Sequence, residues 1–165
     1  MSQLIRCAIA TAFFLAVVPV PTMAQQDDVP ITEKIRQAQA MIRSEFRQIL
    51  RDEMMLTEDE KRTFWPLYER YSAEMRVIND RYLQIVAEFV ERYYDNDLTD
   101  DDAIRLMEKY FEVQIQVLQH RQKYFTQFVE IMSGIKATRL YQLENKVQAE
   151  VDAALAVAIP LADPR

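Results

Sequence analysis

LYERYSAEMRVINDRYLQIVAEF, residues 67–89, is the stretch that decides the fold. Its apolar side chains Leu67, Tyr71, Met75, Ile78, Tyr82, Ile85 and Phe89 advance by threes and fours, which places them on one face of a helix, close to the repeat of a coiled coil. Neither glycine nor proline interrupts it, so it reads as one long helix running to about Tyr93. A helix with such a stripe needs neighbours to cover it, and the flanking sequence supplies them.

Upstream, Thr57 and Glu60 form a T-x-x-E capping box, in which each side chain satisfies a backbone donor at the helix start. Pro66 lies too deep for a first-turn proline; it removes the bond to the Arg62 carbonyl and is expected to kink the helix near its start. Before the box, Ile31–Met55 carries Ile35, Ala38, Ile42, Phe46 and Ile49 at helical spacing, which predicts a first helix broken at Leu56-Thr57.

Downstream, Asp95-Asn96-Asp97 is a turn signal, and Thr99 followed by Asp100, Asp101 and Asp102 supplies an N-cap and negative charge where the helix dipole favours it. The third helix is predicted to run to about Met132. Ser133-Gly134 reads as a break combining a C-terminal glycine with a cap residue. A fourth helix carries Leu140, Leu143, Val147, Val151 and Leu155 until Pro160 stops it. The expected fold is all-α, four helices in one domain over residues 31–159, with a flexible lead at 25–30 and a frayed end at 160–165. A single glycine, Gly134, agrees with this, because β-rich chains use glycine in their turns.

The third helix is the least economical of the four. One stripe holds Ile104, Met107, Phe111, Leu118, Phe125, Phe128 and Met132; a second, about 100° away, holds Tyr110, Val113, Val117 and Tyr124. Together they form a surface wider than one neighbouring helix covers, so the extra face is buried by another helix, a second subunit or a bound client.

At the N-terminus, Arg6, an uncharged apolar run from Cys7 to Val20, and Thr22-Met23-Ala24 before Gln25 read as a secretory signal cleaved after Ala24. The run of about 14 apolar residues is short of the roughly 20 a bilayer needs, and no later segment is long and apolar enough to span. Residues 1–24 are therefore assigned as signal peptide and the mature protein to the periplasm. The only cysteine leaves with the signal.

Little in the composition suggests catalysis. After cleavage the chain has Ser44, Ser72, Ser133 and one histidine, His120, so a nucleophile–base pair is hard to assemble and no enzymatic role is expected. A di-iron carboxylate site needs two Glu-x-x-His pairs, yet Val117 stands three before His120. His120 aligns with Val113, Val117 and Tyr124 and reads as a partly buried histidine, although a symmetric dimer could bring two copies together at a metal. The aspartates near residue 100 lack the glycine and the final glutamate of a calcium loop, and the methionines read as packing. Neither metal nor cofactor is expected. The net charge of −6 argues against a nucleic-acid partner. Against that acidity, Arg36, Arg43, Arg47 and Arg51 share one face of the first helix. Like charges four apart repel by about 0.2–0.5 kcal/mol per pair, so acidic side chains of the same protein or an anionic partner must offset them.

Leu56-Thr57-Glu58-Asp59-Glu60 at one helix start and Met132-Ser133-Gly134-Ile135-Lys136 at another resemble the two motifs of the LTxxQ family, the periplasmic Spy and CpxP proteins and their relatives ZraP and CnrX. Glu60 and Lys136 stand where that family has glutamine, and the likeness extends over roughly residues 31–155. The resemblance implies a curved helical hairpin, paired as an antiparallel homodimer, that works without ATP. It also implies a holdase for unfolded or acidic clients in envelope stress, or an adaptor for a sensor-kinase domain; a structural coiled-coil dimer without clients is the third reading. Arg36, Arg43, Arg47 and Arg51, with Tyr110, Val113, Val117 and Tyr124, are the candidate client- or partner-binding residues.

Overall fold

The computed structural model describes residue 42 and residues 44–164, and these are helical with no strand among them. Helix α1 is described over 44–53, α2 spans Glu58–Asp95, α3 Asp100–Ile131 and α4 Gly134–Ala158. The four-helix, all-α expectation holds. The expected signal segment and the rest of the chain as far as Met41 lie outside the described residues, as does Arg43.

Helices α2, α3 and α4 each start where their cap chemistry dictates. Glu60 N–H donates to Thr57 Oγ1 at 3.2 Å while Glu60 Oε2 accepts from Thr57 N–H at 2.8 Å, completing the capping box. Thr99 and Asp102 repeat it, with Asp102 N–H to Thr99 Oγ1 at 3.2 Å. Ser133 Oγ accepts from Lys136 N–H at 3.3 Å. Thr99→Ala is expected to cost about 1 kcal/mol of unfolding free energy in urea denaturation.

Asn96 ends α2 in the left-handed region at φ 56°, which asparagine tolerates. Gly134 corrects an expectation: it is the first residue of α4 rather than a C-terminal glycine, and Met132 ends α3 with an extended backbone. α2 continues through Pro66.

With only residues 96–99 between them, α2 and α3 must run antiparallel. The contacts confirm it, as one number falls while the other rises. Arg105 meets Glu88 at 2.6 Å, Arg81 Nη1 donates to Gln116 at 2.7 Å, Lys123 meets Glu74 at 2.9 Å, and Phe64 meets Phe128 with ring centroids 5.7 Å apart. Near the hairpin tip the buried residues of α2 are Leu83, Val86 and Val90, one position on from the expected Tyr82, Ile85 and Phe89, which are half-buried. Tyr82 instead turns toward Tyr110 and the end of α4, beside Leu155 and Ile159.

The densest core lies at the opposite end, where all four helices meet around Leu50, Met54, Phe64, Tyr71, Phe128 and Leu140. Arg139 of α4 donates through Nε to the Glu53 carbonyl at 2.6 Å, satisfying the end of α1, and reaches the Glu53 carboxylate at 2.5 Å. Lys136 meets Glu60 at 2.5 Å. Glu60 and Lys136, each the third residue after a helix-capping Thr57 or Ser133, are thus one ion pair, joining the start of α2 to the start of α4. The Lys136 ammonium, followed by the Thr57 backbone, holds the Glu60 carboxyl below the usual range.

Candidate binding surface along α3

The structure separates the two stripes of α3. The line facing the core is Leu106, Val113, His120, Tyr124 and Phe128, all buried, with Tyr110 and Val117 half-buried between them. This corrects the expectation that Tyr110, Val113, Val117 and Tyr124 present a free face to a client: α2 and α4 already cover it. Phe128 and Met132, which the sequence places on the other stripe, are buried as well.

His120 fixes this line chemically. Its Nε2 lies 3.0 Å from the Tyr71 carbonyl and its Nδ1 3.5 Å from the Glu74 carboxylate, while its ring stacks on Tyr71 at 5.0 Å. The imidazole is buried with a polar partner at each nitrogen, and no cluster of three or more metal-ligating side chains occurs among the described residues. Glu74 also accepts from the Tyr124 hydroxyl at 2.7 Å, and this bond is the first cause of its lowered pKa.

The other stripe is open. Ile104, Met107, Phe111, Ile115, Leu118, Phe125 and Val129 stay between 39% and 58% exposed along almost the whole of α3. At 1.5 Å per residue that is a strip about 40 Å long. Single exposed apolar residues are ordinary; a contiguous row marks a surface that binds something. Ile115 and Val129 were missing from the sequence reading, although each falls four residues after Phe111 or Phe125 and so completes the stripe. Positions 104, 111, 118 and 125 repeat every seven residues, the spacing of a coiled-coil seam, and Glu108 and Gln122 are the polar members of that seam.

Of the arginine row, Arg36 and Arg43 lie outside the described residues. Arg47 pairs with Glu69 at 2.7 Å and lies over the Trp65 ring at 5.0 Å. Arg51 approaches the same ring at 5.7 Å and donates to Gln48 at 3.3 Å. These two charges are engaged within the chain, one by a carboxylate and both by an aromatic face.

Comparison of the chain with family models, with curated proteins and with solved structures finds no match. No helix among the described residues is long and apolar enough to cross a membrane.

Proposed function

We propose that the protein is an exported, ATP-independent holdase that takes up apolar segments of unfolded polypeptides along the open stripe of α3. The observation that carries this reading is the exposed apolar row from Ile104 to Val129, broken at Glu108 and Gln122, on a helix whose opposite face is anchored in the core. Covering one half-exposed side chain of this size is worth about 1 kcal/mol, so binding comes from the length of the row rather than from any one contact. A sequence-tolerant apolar strip suits clients that share hydrophobicity and little else.

Suppression of aggregation of an unfolded model protein tests it. The protein at several-fold excess is expected to suppress aggregation, and the triple variant Phe111→Gln, Ile115→Gln, Leu118→Gln to lose most of that effect. Glutamine keeps helix propensity and the three positions are exposed, so circular dichroism should be unchanged. No suppression by the parent protein, or full suppression by the folded triple variant, overturns the assignment.

The seven-residue repeat favours a second reading, in which the stripe is the seam of a homodimer. Parallel pairing would set Glu108 against its own copy within the seam, so the pairing would be antiparallel. Sedimentation separates the two readings: a dimer dissolved by the triple variant, with aggregation suppression unaffected, selects the seam.

A further inference from the structure

The open stripe of α3 has a charged edge. At about 100° per residue, Ile104, Phe111, Ile115, Leu118 and Val129 fall within about 40° of one line along the helix. Glu108, Glu112 and Glu130 fall about 40–80° to one side of that line, between the apolar row and α2, and all three are exposed.

Among the described residues, no cation lies within ion-pair distance of any of these three carboxylates. The cations beside them are already engaged. Arg105 reaches Glu88 at 2.6 Å and Asp102 at 2.8 Å, Lys109 reaches Glu88 at 3.7 Å, Lys123 reaches Glu74 at 2.9 Å, and Arg81 of α2 donates to Gln116 at 2.7 Å. Glu108 and Glu112 also stand four apart, a spacing at which like charges repel. Arg47 and Arg51, the charges that would attract an acidic client, are held within the chain by Glu69, Gln48 and the Trp65 ring. The unmatched charge beside the apolar row is therefore negative. A second copy of the chain does not complement it, because the seam from Ile104 to Val129 contains no lysine or arginine and brings Glu108 again.

Resting on the holdase reading of this stripe, we propose that the clients it holds most tightly are segments that form a cationic amphipathic helix. Their apolar side chains lie on the row from Ile104 to Val129, and their lysines or arginines lie along one edge on Glu108, Glu112 and Glu130. The helical form follows from the spacing, since a row that advances alternately by four and three residues is matched by another helix. The sign follows from the three carboxylates. Each exposed ion pair is worth a factor of about two to five in affinity, so three of them select a cationic segment over a neutral one by about tenfold or more. Salt screens such pairs, so the selectivity falls as ionic strength rises while the apolar contribution remains.

Fluorescence anisotropy with three labelled synthetic peptides tests the proposal. The peptides are about three heptads long, share one apolar seam, and carry lysine, glutamine or glutamate at the flanking positions. The lysine peptide is expected to bind about tenfold or more tighter than the glutamine peptide at low salt, with the glutamate peptide weakest. The combined variant Glu108→Gln, Glu112→Gln, Glu130→Gln changes exposed positions only; it should stay folded by circular dichroism, keep its affinity for the glutamine peptide and lose the preference for lysine. Lysine at the same three positions should favour the glutamate peptide instead. Equal binding of the three peptides, or a preference for lysine that survives in the folded glutamine variant, overturns the inference and leaves the holdase reading standing on the neutral peptide. Failure of all three peptides to bind overturns the inference as well, and aggregation suppression by the parent protein then decides separately whether the holdase reading survives.

Discussion

Phe128→Ala is expected to lower the unfolding free energy by about 3–5 kcal/mol. Phe128 is fully buried where the four helices converge, with Phe64, Tyr71 and Tyr141 at ring distances of 5.7, 5.9 and 6.4 Å. Removing the ring loses its transfer free energy and leaves a cavity that three rigid aromatic neighbours cannot collapse to fill. Ile104→Ala or Leu118→Ala, on the same helix but exposed, should change stability by about 0.5 kcal/mol or less. Urea denaturation of the three variants checks the contrast, and similar losses at all three would show that α3 does not bury the face described.

Glu144→Gln is expected to stabilise the protein at pH 8 by about 2–3 kcal/mol and to have little effect near pH 5. The Glu144 carboxyl is raised from 4.5 to about 7, by burial above all. Over that window the native state holds a proton that the unfolded chain has lost, so the stabilisation is full below about pH 4.5 and drains away as pH rises through about 7. Glutamine can accept the same Tyr71 hydrogen bond without ever charging. Unfolding free energies measured at pH 5 and pH 8 decide the matter; equal destabilisation of the variant at both would mean that Glu144 is paired and ionised in the native protein.

The frame of the molecule was legible because it is set by local chemistry. Thr57, Thr99 and Ser133 announce three helix starts through side chains that can satisfy nearby backbone donors, and Asn96 ends α2 where a left-handed residue is needed. Sequence reading failed on the choice between two apolar stripes of one helix, since periodicity shows that both exist and not which one a neighbour covers. A chemical clue was nevertheless present. His120 lies on the stripe that is buried, where its ring nitrogens find partners, whereas Glu108 and Gln122 interrupt the stripe that is open.

Glu144 was similarly half-visible. It falls four after Leu140 and three before Val147, on the apolar face of α4, but its burial depends on how α4 lands over Tyr71 and Arg121. The ion pair between Glu60 and Lys136 could not be read from either motif alone, because its members are 76 residues apart and meet only through the tertiary fold.

The most direct test of the central claim is site-specific photo-crosslinking to an unfolded client. A photoreactive phenylalanine analogue is placed in turn at Phe111, Leu118 and Phe125, and at the exposed positions Glu91 of α2 and Lys146 of α4. Strong crosslinks from the three α3 positions and weak ones from Glu91 and Lys146 are predicted; crosslinks spread evenly over all five, or confined to Glu91 and Lys146, would contradict the assignment of the α3 stripe.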